Sequence, residues 1–139
     1  MLKKSITYVD YNGVERTENF YFNLNKAETL GYIIGFEGGI EAFITKVVKE
    51  EDGKKLWDLW SNFILMCYGE KSSDGRRFIK SKELSEGFKQ TEAYNNLMME
   101  LISGNGAENA KFVNAVVADV EKDPNKKALI DSFKVVEQS

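Results

Sequence analysis

The residue types that most often carry enzyme chemistry are scarce in this chain. It contains no histidine, which is both the commonest general base and the commonest metal ligand. Its single cysteine, Cys67, falls in an apolar helical stripe without a histidine to activate it, so we interpret it as a small buried hydrophobe. With one cysteine, neither an intramolecular disulfide nor a zinc site of nitrogen and sulfur ligands can form, which fits a reducing compartment.

The acidic and glycine-rich stretches also lack the spacing that catalysis or ligand binding needs. Glu50-Glu51-Asp52 is a charge run at a helix end, where a solvated face is the usual role. Asp52-Gly53 and Asp74-Gly75 lack the alternating acidic ligands of a calcium loop. The stretch 35–39 lacks the Gly-Lys-Ser/Thr ending of a phosphate loop and follows a predicted helix. We therefore expect no catalytic residues, no metal and no cofactor.

The basic stretch at residues 69–82 is the clearest exposed pattern, with five basic and two acidic side chains. Within it, Arg76 and Arg77 are followed by Phe78 and Lys80, and we take these four residues as candidates for partner binding. Arginines beside an aromatic ring can bind an acidic protein surface or a nucleic acid. The same composition also suits a solvated surface loop without a partner.

Trp57 is the fifth candidate for partner binding. It lies off the main apolar stripe of its predicted helix, and tryptophans are enriched at protein interfaces. It could equally complete a wide core face, and the sequence does not choose between the two interpretations.

The N-terminal residues predict a β-hairpin with strands at about 5–11 and 14–22. Asn12-Gly13 between the strands suits a type I′ turn, because both residues tolerate positive φ. A lone hairpin is marginal in water, so one face should pack on the rest of the chain. The aromatic residues expected to supply that face are Tyr8, Tyr11, Phe20, Tyr21 and Phe22. The outer edge of the hairpin would offer backbone groups for self-association.

The remainder predicts helices, interrupted by a loop at 69–80 that lacks periodicity and contains several turn-forming residues. Asn25–Glu28 has the capping-box pattern that begins a helix, Ser81 and Thr91 begin two more, and Asp123-Pro124 begins the last. Asp52-Gly53 either ends one helix or caps the next. The apolar stripes are Ile40, Phe43, Ile44, Val47 and Val48; Leu56, Leu59, Trp60, Phe63, Ile64 and Cys67, continuing through Tyr68; Tyr94, Leu97, Met98, Leu101 and Ile102; Phe112, Val113, Val116, Val117 and Val120; and Leu129, Ile130, Phe133 and Val136.

These elements predict an α+β fold, mostly α, in which the N-terminal hairpin packs on a bundle of five to seven short helices. We expect a single domain over residues 1–139, since this length can bury a sizeable core. Its parts would be the hairpin at 5–22, a helical body at 25–120, and a C-terminal helix or variable tail at 121–139.

Net charge and hydropathy indicate which classes of partner and which cellular compartment to expect. The net charge of −3 argues against a duplex nucleic-acid binder, which usually presents a basic patch. The longest apolar run, Phe63–Tyr68, is too short to span a bilayer, and the N-terminus has no signal-peptide pattern. We therefore expect a cytoplasmic protein without a membrane partner.

A set of motifs in fixed order resembles one known family. The motifs are Tyr8–Leu24, Glu51–Lys55, Tyr68–Ser72 with Asp74–Ser81, Thr91–Tyr94, and Lys111–Asn114. Together they resemble the tail assembly chaperones of long, non-contractile-tailed phages (siphophages), or their prophages, of Gram-positive bacteria. The resemblance covers about residues 5–118, and the basic stretch is its most distinctive part. Residues 119–139 lie outside it.

The resemblance implies a non-catalytic factor of the host cytoplasm, absent from the mature virion. Such a chaperone coats the long helical tape measure protein before the tail tube polymerises around it. A frameshift-extended form would recruit the tail tube protein, and a homo-oligomer is compatible with coating a rod. The alternative is a small regulatory nucleic-acid-binding protein that uses Arg76, Arg77, Lys80 and Lys82 of the 71–82 loop.

Overall fold

The computed structural model describes residues 1–35, 42, 45, 46, 49–104 and 106–117, and its fold is α+β and mostly helical, as predicted. In chain order the elements are β1 (Leu2–Val9), β2 (Glu15–Phe22), α1 (Lys26–Gly35), α2 (Gly53–Cys67), β3 (Tyr68–Lys71), β4 (Phe78–Ile79), α3 (Lys82–Lys89), α4 (Glu92–Ser103) and α5 (Gly106–Val116). The stripe predicted at 40–48 and the predicted C-terminal helix at 124–136 lie outside the described residues, as does the expected tail at 121–139.

The predicted N-terminal hairpin is confirmed, with strands paired from Leu2↔Phe22 to Val9↔Glu15. Its predicted turn type is wrong, because Gly13 has a φ of +79° whereas Asn12 does not have positive φ. The Asp10 carboxylate decides the turn by accepting hydrogen bonds from the amides of Asn12 (2.9 Å) and Val14 (3.0 Å). The outcome is a turn followed by a left-handed glycine, another common hairpin connection.

The hairpin packs on the helices through one face, but only part of the predicted aromatic set lies there. Phe22 is fully buried, and Tyr8 and Phe20 are half-buried against the core. Tyr11 is 76% exposed at the turn. Tyr21 alternates to the outer face, where the Lys71 ammonium lies 4.7 Å from its ring centroid.

The loop predicted at 69–80 is wrong, because this stretch contains two short strands. Tyr68 and Gly69 of β3 pair with the end of β2, and β4 pairs with β3 to give an antiparallel sheet in the order β1-β2-β3-β4. Strands of four and two residues are too short to show a period in the sequence. Tyr68 therefore begins β3 instead of continuing the helix before it.

The helix starts follow the predicted capping residues. Asn25 and Glu28 form a reciprocal capping box, in which the Glu28 amide donates to Asn25 Oδ1 (2.8 Å) and the Asn25 amide donates to Glu28 Oε1 (3.1 Å). The side chains of Asp52, Ser81 and Thr91 cap α2, α3 and α4. Asp52 thus caps a new helix, one of the two roles its sequence context allowed.

The core lies between the inner face of the sheet and the helices. The predicted stripes of α2, α4 and α5 supply most of it, including Trp60, Phe63, Ile64, Leu97, Met98, Val113 and Val116. Phe88 of α3 was not singled out by any stripe, yet its ring stacks on Tyr68 with a centroid distance of 4.3 Å. Phe22 adds edge and tilted contacts to both rings, so aromatic packing joins the hairpin to α3.

Candidate protein-binding surface

The connection between β3 and β4 is a tightly bonded turn that carries two of the predicted site residues. Within the turn, the Ser72 amide donates to the carbonyl of Arg77 and the Gly75 amide donates to the carbonyl of Ser72, both at 2.9 Å. Gly75 has a φ of +73°, which favours glycine at this position. These bonds fix the backbone from which Arg76 and Arg77 project.

Side chains within the turn reinforce this geometry. The Asp74 carboxylate accepts hydrogen bonds from the Ser72 hydroxyl (2.7 Å) and the Arg76 amide (3.0 Å). The first of these bonds is the main reason that the pKa of Asp74 lies below its ordinary value. The Arg77 amide donates in turn to Ser72 Oγ at 3.0 Å. The Asp74 carboxylate therefore accepts its hydrogen bonds from groups within the same turn.

The two arginine side chains extend into solvent from this turn. Both residues are exposed, and within the described residues neither guanidinium has an ion-pair partner. Each guanidinium offers five donors in a planar fork suited to carboxylates. The β3–β4 hairpin tip, defined as residues 72–77, is thus an ordered platform for two positive charges.

Phe78 and Lys80 lie at the base of this tip in different surroundings. Phe78 is half-buried, and its ring covers Gly69 so closely that a Cβ built on this glycine would lie 2.6 Å from ring atom Cε2. The Lys80 ammonium lies 6.0 Å from the Phe78 centroid and forms a 2.9 Å ion pair with Glu28 of α1. Lys80 therefore has its charge matched by Glu28, whereas the two arginines have no such partner among the described residues.

Trp57 belongs to a separate cluster on α2. It is half-buried against the core, and its ring meets Tyr94 of α4 edge-on at 6.3 Å between centroids. Its packing against the core and its contact with Tyr94 agree with the wide core face considered from the sequence. The structure places it with Tyr94 and not with the residues of the β3–β4 hairpin tip.

Cys67 and the acidic residues give no sign of reactive chemistry in the described part of the chain. Cys67 is fully buried, and burial raises the pKa of its thiol far above the ordinary range. Among described residues, no group of histidine, cysteine, aspartate or glutamate side chains could hold a metal ion. No helix in the described ranges has the length and apolar character needed to cross a bilayer.

A comparison with protein families matches this chain over residues 1–137 to a family described as phage tail assembly chaperone. The chain belongs to that family. No curated protein and no solved structure gives a significant match. The family match extends past the region 5–118 covered by the motifs, so it includes nearly all of the C-terminal stretch that the motifs left unassigned.

Membership of the tail assembly chaperone family gives the exposed residues a context, because an assembly chaperone acts by binding other proteins. Several features of this surface were missed by sequence reasoning. Glu28 was recognised as a capping residue, but its ion pair with Lys80 joins residues too distant in sequence for any local pattern to reveal. The internal bonding of the β3–β4 hairpin tip was missed too, although its Ser, Asp and Gly residues are a turn signal.

Proposed function

We propose that this chaperone binds and solubilises the tape measure protein during tail morphogenesis, as a non-catalytic factor of siphophages or prophages of Gram-positive hosts. The observation that carries the proposal is the β3–β4 hairpin tip, whose two arginines have no ion-pair partner among the described residues, in a chain belonging to the tail assembly chaperones. Family membership supplies the general role, and the tip supplies a contact of defined chemistry. It would act in the host cytoplasm as one domain over residues 1–139 and be absent from the mature virion.

The client contact follows from the chemistry of the tip. Arg76 and Arg77 suit an acidic stretch on the client, because internal hydrogen bonds already order the backbone of the tip. Binding would then need to order only the two arginine side chains. Phe78, half-buried at the base of the tip, adds apolar contact beside the charges, and the half-buried Trp57 on α2 offers a separate apolar contact. Lys80 is paired with Glu28, so we assign it the role of holding the base of the tip while the arginines make the direct contact.

The strength of each contact should be modest. A tape measure helix with bare apolar stripes would aggregate, so its coat must cover it and later be displaced by tube subunits. Many copies with weak individual contacts achieve this, because multivalency provides avidity and permits stepwise release. A frameshift-extended form would recruit the tail tube protein at that stage.

The structure gives less support to the nucleic-acid alternative. Of the cations assigned to that function, Lys80 is neutralised by Glu28, which leaves a smaller positive patch than the sequence suggests. Affinity for a nucleic-acid backbone scales with the number of phosphates neutralised, so the three remaining cations, Arg76, Arg77 and Lys82, offer little.

A capture experiment with purified components tests the proposal. The chaperone is immobilised, and the cognate tape measure protein or an acidic helical segment of it is passed over the surface. We expect capture by the wild type and binding weaker by about tenfold or more for the double variant Arg76→Glu with Arg77→Glu. The matched control is Lys54→Glu with Lys55→Glu, which makes the same charge change at the exposed start of α2. Equal loss in both variants, or no capture by the wild type, would argue against a specific role for the tip.

A further inference from the structure

The two edge strands of the four-stranded sheet differ greatly in length. One edge is β4, which has two residues, whereas the other is β1, which has eight. Proteins usually protect an edge with a short strand, a proline or a bulge, because free backbone groups attract another strand. β1 is long and pairs regularly with β2 along its whole length, so its outer edge lacks these three protections. It does carry Lys3 and Lys4, and Lys4 is paired with Glu100 of α4.

The free backbone groups of β1 can be identified from the ladder. The Asp10 amide donates to the carbonyl of Val14 across the hairpin, so the even-numbered residues of β1 direct their backbone groups toward β2. Lys3, Ser5, Thr7 and Val9 therefore direct theirs outward. In the described part of the chain, the Thr7 carbonyl is the one outward group with a partner, the Asn96 side-chain amide at 3.0 Å.

Exposed apolar side chains flank this edge on both sides. Val9 is 53% exposed on the outer face of the sheet. Met99 is 59% exposed on α4, between Asn96 and Glu100, both of which contact β1. Single exposed hydrophobic residues are common, but here two of them adjoin a strand edge that offers hydrogen bonds. The edge and its flanks together form a surface suited to a strand-bearing partner.

We propose that this surface pairs two copies of the chain, with β1 antiparallel to β1 of the second copy around a two-fold axis. A helical client cannot satisfy the edge, because the backbone groups of a helix are bonded internally. A second copy supplies a strand of matching length, and a two-fold axis makes the pairing self-complementary. The resulting sheet would run continuously through both copies.

Charge supports the antiparallel arrangement. In the register that pairs Ser5 with Thr7 of the second copy, Lys3 lies opposite Val9 of that copy. The lysines at the start of each strand thus stay away from each other, whereas a parallel pairing in register would bring them together. The pairing leaves the β3–β4 hairpin tip, at the opposite edge of the sheet, free for a client. It does not rest on the proposed function.

Sedimentation velocity over a wide concentration range tests the pairing. The wild type should show a reversible monomer–dimer equilibrium. In Ser5→Pro, each copy loses one outward amide without losing a bond to β2, so the dimer should dissociate on the order of tenfold more readily. A second variant, Ser5→Lys with Thr7→Lys, should weaken the dimer as well, because it places lysines opposite each other across the axis.

The matched control is Thr17→Lys with Asn19→Lys, which adds the same charge to the outer face of β2, away from the β1 edge. This variant should dimerise like the wild type. Circular dichroism of each variant establishes that the fold is retained, and the lysine variant provides the test if the proline variant does not fold. A wild type that stays monomeric throughout, or folded edge variants that associate as strongly as the control, would overturn the proposal.

Discussion

Glu28 and Lys80 form a 2.9 Å ion pair that connects the first turn of α1 with the end of the β3–β4 hairpin, although 52 residues separate them in the chain. The same Glu28 side chain uses its other oxygen to cap α1, because its Oε1 accepts the Asn25 amide. One carboxylate therefore stabilises a helix start and positions the base of the candidate binding surface. Both side chains are partly shielded, with exposures of 20% for Lys80 and 38% for Glu28.

A double-mutant cycle on this pair should show coupling. Glu28→Gln and Lys80→Met should each destabilise the chain, and their combined effect should fall short of the sum by about 0.5–1 kcal/mol. Urea denaturation of the four proteins measures the coupling. The exposed pair Lys54–Asp58, at 3.2 Å, is the reference, for which the same cycle should give a smaller value. Additive effects at Glu28 and Lys80 would mean that the pair has no energetic role.

Two glycine substitutions should have opposite effects on stability. Gly69→Ala would place a Cβ 2.6 Å from the Phe78 ring and 2.7 Å from the Ile79 carbonyl oxygen, so it should cost about 1–3 kcal/mol by forcing β3 and β4 apart. Gly87→Ala meets no atom within 4 Å on α3 and should stabilise the chain by about 0.5–1 kcal/mol. The unfolding midpoints of both variants in denaturant give the comparison. Equal effects would show that Gly69 is not closely packed.

The hairpin should depend much more on one aromatic residue than on its neighbour. Phe22 is fully buried among Tyr68, Phe88 and Phe112, so Phe22→Ala should cost about 3–5 kcal/mol. Tyr21→Ala removes a ring from the outer face and should cost about 1 kcal/mol or less. Denaturant unfolding of both variants tests the assignment of the two faces. A larger loss from Tyr21→Ala would mean that the faces are assigned the wrong way round.

The turn of the hairpin should make stability sensitive to acid. The pKa of Asp10 lies below its ordinary value, chiefly because the Arg16 side chain donates a hydrogen bond to it, with further bonds from the Val14 and Asn12 amides. A depressed folded-state pKa means that Asp10 stabilises the fold above its unfolded pKa, and that this stabilisation is lost as the pH falls through the folded value. The loss should therefore begin near the ordinary value of 3.8 and continue below it.

Two variants separate this contribution from that of other carboxylates. Unfolding free energies measured down to acid pH should fall less steeply for Asp10→Asn than for the wild type. Arg16→Gln, which removes the main cause of the shift, should lie between them. Parallel curves for all three proteins would show that Asp10 does not contribute to the acid response.

Much of the fold could be predicted from the sequence, because most of its elements are set by local patterns. The hairpin strands, the stripes of α2, α4 and α5, and the caps at Asn25, Asp52, Ser81 and Thr91 all depend on residues a few positions apart. The turn at Asn12-Gly13 was misjudged, because the Asn-Gly signal competes with the hydrogen bonds of Asp10.

The other features that the sequence did not reveal all depend on contacts between residues far apart in the chain. β3 forms because Tyr68 and Gly69 pair with β2, which lies more than 45 residues earlier in the chain. Such short strands show no periodic pattern in the sequence from which they could be predicted. For the candidate surface, the exposed arginines could be predicted from composition. The ion pair of Lys80 and the core packing of Trp57 required the three-dimensional arrangement.

The most direct measurement for the central claim is the solubility of the cognate tape measure protein on co-expression with this chain. The account predicts that the tape measure protein moves from the pellet to the soluble fraction and co-purifies with the wild type. It predicts the same for Lys54→Glu with Lys55→Glu, and a clear reduction for Arg76→Glu with Arg77→Glu. A tape measure protein that stays in the pellet beside a well-folded wild-type chain, while that chain retards DNA in a salt-sensitive manner, would contradict the account and favour nucleic-acid binding.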